Sequence, residues 1–354
     1  MEEIPIFLGK PSEHGYYMPA EWEPHAATWL TWPHDEAHWP GKFDSIPPIW
    51  ARMVKELEIG EEVHILIHDD QTHASACDAL EKAGVIGRQV RLHRVPNNFS
   101  WARDHGPIFL KDSEGHALIT HWPYNAWGNK YAYDLDCKIP AHIARITGLP
   151  IAQAPMILEG GAIDVNGKGT LLTTEACLRH PNRNPHLGSV EIEQNLKDYL
   201  GVRHVLWLHD GIIGDDTNGH VDDLTRFVAP ATVVTSIEDD NGDPNYLPLR
   251  ENLKRLQRMT DQAGRPLRVI ELHLPAPVIY EDMRLPASYA NFYIGNEVVL
   301  LTAFNDRRDQ AAIDVLQAAF PTRRIAALYA RDLIWGLGAF HCVTQQQPLA
   351  STDL

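Results

Sequence analysis

Apolar positions along this chain switch between two spacings, and the switch repeats. Residues 189–200 carry Val190, Ile192, Leu196, Tyr199 and Leu200 at helical intervals behind Ser189, which predicts a helix. Ahead of it, 156–165 predicts a strand, Asn166-Gly167-Lys168-Gly169 a hairpin turn and 170–174 the returning strand. Behind it, 205–208 predicts a closing strand. The order strand, tight turn, strand, helix, strand recurs from His220: strands 220–228 and 233–237 around Ala229-Pro230, a helix near 245–263, and strand 267–272. It recurs from 291, with strands 292–294 and 298–304, helix 307–319 and strand 325–328. From Gly106 it gives strands 106–111 and 117–122 and helix 139–147. In residues 25–96 only strand 63–67, helix 72–83 and strand 90–95 stand out.

Units starting near residues 25, 104, 156, 220 and 291 predict an α/β fold of ββαβ-type repeats. Units that each bury only part of a core must stack. Five of them most simply close into a ring, a five-bladed α/β propeller with pseudo-fivefold symmetry, as one domain over 1–354. Behind the last unit the chain can return to complete the first. The opening hairpins argue for local antiparallel pairs rather than a linear βαβ sheet. In a closed ring, equivalent positions converge on the axis. Asp104, Glu159, His220 and Asp222 sit at or just before the first strands of their units, so with Cys342 they are expected to share one pocket.

Composition narrows the partners. The chain has 354 residues, 44% hydrophobic, and a net charge of −16, which argues against nucleic acid and agrees with a small cationic substrate. No apolar run approaches the ~20 residues of a membrane span, and the acidic start is not a signal peptide. The four cysteines are scattered without a Cys-x-x-Cys pair, so neither a zinc site nor a redox motif is indicated. Reduced thiols in a cytoplasm are expected. Cys77 and Cys177, in apolar surroundings, are expected to be buried and inert.

Cys342 differs, because it follows Gly336-Leu337-Gly338-Ala339-Phe340-His341. Glycines permit close backbone approach, and a thiolate needs a cationic or hydrogen-bonding neighbour, which a bound cation could be. His341 is adjacent, so on a strand it faces away and is a poor proton partner. His220 suits that role: Asn218-Gly219 precede it, and Asp222 is expected to face the same side of a strand. Glu159 closes an apolar run ahead of Gly160-Gly161 and can orient His220 in a thiol–imidazole–carboxylate set. Asp104, in Trp101-Ala102-Arg103-Asp104, can hold a planar cation against Trp101. Asp104 and Asp222 make the natural clamp for a guanidinium, and Asn218 and Trp101 complete the candidate binding set. The alternatives are a metal-dependent amidine hydrolase and a non-catalytic guanidine-binding module. His34-Asp35-Glu36-Ala37-His38 is not the His-Glu-x-x-His motif and lies between Pro33 and Pro40, so no metal is assigned. No Gly-x-Gly-x-x-Gly or Walker loop is present, and no cofactor is expected.

These motifs resemble the agmatine deiminase family, which belongs with the bacterial-type peptidyl-arginine deiminases. The resemblance runs through Met18-Pro19-Ala20-Glu21-Trp22, Trp101-Ala102-Arg103-Asp104, Asn125-Ala126-Trp127-Gly128, Leu158-Glu159-Gly160-Gly161, Asn182-Arg183-Asn184-Pro185, Thr217-Asn218-Gly219-His220-Val221-Asp222, Ala287-Ser288-Tyr289-Ala290-Asn291 and His341-Cys342-Val343-Thr344. It implies the pentein fold and metal-independent hydrolysis of a guanidine to a ureido group and ammonia. By that resemblance Cys342 forms a covalent amidino-thioether, His220 shuttles protons, Glu159 orients His220, and Asp104 and Asp222 clamp the guanidinium. A homodimer is the family-level expectation. Departures lie at Ala339, His105 and Asp223-Leu224-Thr225-Arg226. Agmatine is the favoured substrate, giving N-carbamoylputrescine; free arginine would need a cation for its carboxylate. Arginine, peptidyl-arginine and other alkylguanidines are the alternatives.

Overall fold

Helices Asp70–Ala83, Ile139–Thr147 and Ser189–Leu200 each end on a glycine in the left-handed region. In the computed structural model, which describes residues 4–350, Ser189–Leu200 is a helix as its spacing predicts. The Gly188 N–H donates to Glu191 Oε2 at 2.8 Å at its start, and Gly201 closes it at φ 65°. Ile139–Thr147 ends on Gly148 in the same way. Ile46–Leu57, absent from the sequence reading, begins with Pro47 and Pro48, whose missing N–H groups cost nothing in a first turn. It buries Ile49, Trp50, Met53, Val54 and Leu57 on one face. The outermost residues of the 1–354 span, 1–3 and 351–354, lie outside the described residues, and with them the first acids of the N-terminal reading.

Among the described residues, five mixed sheets follow along the chain. Four share one plan, a strand antiparallel to the next, which is parallel to a third. They are Ile108–Lys111, Ala117–His121 and Ile151–Gln153; Asp164–Val165, Thr170–Thr174 and His204–Leu208; Thr225–Ala229, Thr232–Ile237 and Arg268–His273; and Tyr293–Ile294, Val298–Ala303 and Arg324–Tyr329. In the other sheet, Thr344–Pro348 runs antiparallel to His25–Thr31, with Glu62–Ile67 and Val90–Arg94 following in parallel. The end of the chain therefore supplies the opening strand of the sheet that contains its beginning. Thr170–Thr174, antiparallel to one neighbour and parallel to the other, is buried along its whole length, as a strand covered on both faces is. A separate hairpin joins Ile279–Tyr280 to Met283–Arg284. No helix among the described residues is long and apolar enough to cross a membrane.

Four expectations need correction. The strand expected at 156–165 shrinks to Asp164–Val165, and that expected at 220–228 begins only at Thr225. In their place lie 3-10 turns at Gly160–Ala162 and Val221–Asp223. The turn frees the Gly161 N–H to donate to Asp104 Oδ1 at 3.0 Å, which a sheet ladder would have consumed. The helix expected near 245–263 is Tyr246–Leu256, and beyond it Asp261 folds back onto Arg265. Cys77 is exposed on helix Asp70–Ala83, whereas Cys177 is buried as expected.

Candidate active site

Irregular backbone carries the polar side chains to one place. Asp104 sits on the short helix Ala102–His105. Its Oδ1 accepts from Gly161 N, and its Oδ2 accepts from Trp127 Nε1 at 3.0 Å. Trp127 itself is held at φ 55° beside Gly128 at φ 97°. His220 follows Asn218 and Gly219, both at positive φ, and Asp215 Oδ2 accepts from the backbone N–H groups of Gly219 and His220. Asp222 therefore reaches the site from a tight turn, and not by strand alternation.

Three of the expected groups surround His220. Its Nδ1 lies 3.8 Å from Asp104 Oδ1 and 4.0 Å from Asp222 Oδ1, and its Nε2 lies 4.0 Å from Glu159 Oε2. None of these separations is a hydrogen bond. Both ring nitrogens of His220, Glu159 Oε2 and Asp222 Oδ1 are buried without a partner. Four orphaned polar atoms around one point are costly unless a ligand completes them. Gly161 shows how tightly they converge: a Cβ there would meet His220 Nδ1 at 2.5 Å, Asp104 Oδ1 at 2.9 Å and Asp222 Oδ2 at 3.1 Å.

Cys342 lies beside them, on a turn. Its Sγ is 3.7 Å from Asp222 Oδ2 and accepts from Asn291 Nδ2 at 3.1 Å. His341 is held between two carboxylates, with Nδ1 2.7 Å from Asp222 Oδ2 and Nε2 2.8 Å from Glu21 Oε2. Its Nδ1 thus orients Asp222, while Glu21 fixes the ring through Nε2. Glu21 also meets Arg226 and Arg103. Glu159 Oε1 is paired with Arg183 Nε at 2.7 Å, both fully buried. The rest of the Arg183 fork donates to the side-chain oxygens of Asn182 and Asn218 and to Thr217 O. Asn218 was expected to bind substrate; its Oδ1 accepts from Arg183 Nη1 and Asn182 Nδ2. Trp101 does line the cavity, with its ring against Gly338, where a Cβ would lie 2.6 Å from Trp101 Cζ3.

The cavity holds about 230 Å³ and runs from Asp104 and Cys342 between Phe99, Trp101, Trp127 and Trp335 to a mouth at Asp216 and Met283. Lys130 and Tyr131 both bond to Asp216. Burial, then Asp222 and Glu159, push the Asp104 carboxyl well above its usual range. Burial raises Glu159 despite Arg183. Burial would raise Asp222 too, but the His341 bond and charge outweigh it and leave this carboxyl lowered. Burial takes His220 down to about 3, so its imidazole is neutral. Burial and the nearby Asp222, Asp223 and Asp104 push the Cys342 thiol well up. Without a bound cation the site is a neutral thiol and a neutral base among crowded carboxyl groups.

Two buried sets here have metal-ligand geometry, Glu159 with Cys177 and His220, and Asp222 with Asp223 and Cys342, each with ligand atoms within 4.8 Å of one another. A metal at the first would face the Arg183 guanidinium across Glu159, an unfavourable charge arrangement. The sequence reading assigned no role to Arg183, Asn291, Glu21 or Trp127. Each stood within a resembling motif, but nothing local showed which distant side chain it would meet.

The sequence profile of the Porphyromonas-type peptidyl-arginine deiminase family matches residues 17–348. A protein of Legionella pneumophila (strain Paris), described as a "Putative agmatine deiminase", is 38% identical over 343 residues, covering 96% of this chain and 97% of its own. The fold matches the solved agmatine deiminase of Enterococcus faecalis with a TM-score of 0.92 at 30% identity, covering 98% of this chain and 100% of that one. It also matches a cysteine-to-serine variant of the C. jejuni agmatine deiminase with substrate bound, with a TM-score of 0.86 at 29% identity, covering 95% and 97%.

Proposed function

The chain belongs to the Porphyromonas-type peptidyl-arginine deiminase family, and from that premise we propose that it hydrolyses agmatine to N-carbamoylputrescine and ammonia through a covalent intermediate on Cys342. The observation that carries this is the ring of unpartnered buried atoms, His220 Nδ1 and Nε2, Glu159 Oε2 and Asp222 Oδ1, beside the Cys342 sulfur. A guanidinium presents five N–H donors in one plane, and carboxylates on several sides match it. Its charge favours ionised Asp104, Asp222 and Glu159, and offsets the repulsion that keeps the thiol protonated.

In this reading Asp104 and Asp222 clamp the guanidinium while Trp101 and Trp127 cover its tail. The sulfur of Cys342 attacks the guanidinium carbon as its proton passes to His220. The imidazolium, held by Glu159, gives that proton to the departing amine, so ammonia leaves and an amidino-thioether remains. Water then attacks the same carbon, His220 takes a proton from it, and the carbon–sulfur bond breaks to release the ureido product and restore the thiol. Of the two protons that water brings, one restores the thiol and the other is released to solvent, where the departed ammonia takes it up as ammonium. Every step uses side chains alone.

The cavity lining favours agmatine over arginine. It includes the acids Asp104 and Asp216 and no Lys or Arg. Lys130, just outside, is tied to Asp216. A substrate carboxylate would meet uncompensated negative charge, whereas a second ammonium would not. The same proposal takes the five sheets as blades of one closed pentein propeller forming a single catalytic domain. Four cysteines free of disulfides suit a reducing compartment, so it places the protein in the cytoplasm.

The test is ammonia release from agmatine, free arginine and an arginine-containing peptide, with a Cys342→Ser control and a chelator arm. Turnover of agmatine that survives chelation and is lost in Cys342→Ser is expected. Turnover confined to arginine or peptide moves the substrate, and loss on chelation overturns the thiol mechanism.

A further inference from the structure

We propose that Asn291 is a catalytic residue whose side-chain amide donates to the Cys342 sulfur and stabilises the thiolate during attack. This rests on Cys342 being the nucleophile. Asn291 lies just ahead of strand Tyr293–Ile294 and is 1% exposed. Its Nδ2 faces two acceptors, Cys342 Sγ at 3.1 Å and Asp223 Oδ1 at 2.9 Å. Its Oδ1 faces two donors, the backbone N–H groups of His341 at 3.0 Å and Cys342 at 3.4 Å. The reversed amide would set N–H against N–H and oxygen against oxygen, so the network fixes which atom meets the sulfur.

The chemistry explains why an amide belongs there. A thiolate forming in this pocket meets Asp222 at 3.7 Å, and Asp104 and Asp223 also bear on it. It needs a donor at the sulfur. A Lys or Arg would provide one, but its charge would repel the guanidinium that must bind alongside. A neutral N–H, aimed in advance at the position where negative charge develops, stabilises the sulfur without that repulsion. Asp223 accepts the other amide proton and fixes the plane. Asn291 keeps both protons throughout, and the thiol proton still passes to His220. The same side chain holds the backbone of His341 and Cys342, coupling the sulfur's position to its charge.

The test compares Asn291→Asp and Asn291→Ala in the full-length protein. Asp is isosteric and keeps an acceptor for both backbone N–H groups, but its carboxyl also adds negative charge beside the sulfur. Ala removes the donor without adding charge, so a shift supports the proposal only when Asn291→Ala shows it too. Two readouts are taken: agmatine kinetics, and the pH dependence of iodoacetamide alkylation of Cys342, which reports thiol ionisation without turnover. The expected result for Asn291→Asp is a kcat lower by about 10²–10³, as for loss of one oxyanion-hole donor, with KM changed far less. Its alkylation midpoint moves to higher pH. Asn291→Ala shifts the midpoint in the same direction and serves if the Asp variant does not fold. An unshifted midpoint in a folded variant overturns the proposal even if kcat falls, because that pattern belongs to a purely structural residue. The alkylation arm stands even if the wild-type protein turns over no agmatine, so failure of this inference is distinguishable from failure of the substrate assignment.

Discussion

Arg183 is where one side chain carries both charge and architecture, and substitutions can separate the two. Arg183→Met would leave Glu159 buried without its cation, at a cost of about 3–5 kcal/mol in stability. Burial already raises Glu159, and loss of Arg183 would raise it further. A protonated Glu159 cannot hold the His220 imidazolium. The expected outcome is a kcat lower by roughly 10² or more, with the acid limb of the pH–rate profile displaced to higher pH. Arg183→Lys keeps the charge but loses the fork to Asn182, Asn218 and Thr217. It should lose stability while the acid limb stays close to wild type. A pH–rate profile of both variants checks this, and equal displacement in both would contradict it. In the wild-type protein His220 sits near 3 and is neutral across the working range. Acid inactivation is therefore expected to follow the raised carboxyls Asp104 and Glu159, with activity rising as pH rises through their ionisation.

At the scale of elements, the 3-10 turn Gly160–Ala162 does what a strand could not. It aims the Gly161 N–H at Asp104 and leaves no side chain where three polar groups converge. Gly161 is not in the left-handed region, so its backbone accepts alanine, and a Gly161→Ala substitution acts on the space alone. Overpacking of this kind costs about 1–3 kcal/mol, which predicts an agmatine KM higher by roughly ten- to a hundredfold. An unchanged KM would show that the guanidinium binds elsewhere.

The same turn marks where sequence reading runs out. Helices 139–147 and 189–200 were legible because apolar periodicity over two or more turns is set by a face buried against the core. Met156-Ile157-Leu158 and His220-Val221-Asp222 carry strand-like patterns too, but the N–H groups of Ile157, Leu158 and His220 go to Asn184 Oδ1, Pro123 O and Asp215 Oδ2 in place of a ladder, and the chain bends. Ile151–Gln153 was missed because three residues are too few to show a period. Cys342, His220, Glu159, Asp104 and Asp222 stood out because reactive residue types sat beside glycine or turn residues. Asn291 and Arg183 did not, because their meaning lies in partners on other units.

At the scale of the whole molecule, several buried titratable groups make stability depend on pH in opposing directions. Asp136 is fully buried and accepts from the backbone N–H groups of Asn98 and Phe99, while its Oδ2 has no partner. Burial pushes its carboxyl up to about 7 from an ordinary 3.8. The folded chain thus holds more protons than the unfolded chain between these values, so this group's contribution is full below 3.8 and is lost as pH rises through 7. The loss amounts to roughly 4 kcal/mol. His105 and His220, taken down to about 3 by burial, act oppositely: their contribution is lost as pH falls from 6.5 toward 3. Asp136→Asn keeps the acceptor and cannot ionise. Urea denaturation at pH 5 and pH 8 should show the variant gaining on the wild type as pH rises, and an equal difference at both would contradict the assignment.

The most direct measurement is acid quenching of the wild-type protein during agmatine turnover, followed by peptide mass mapping. The expected result is an adduct on Cys342 with the mass of agmatine less ammonia, absent before substrate is added and absent from Cys342→Ser. Sustained turnover with no adduct on Cys342, or turnover by Cys342→Ser, would contradict the covalent thiol mechanism.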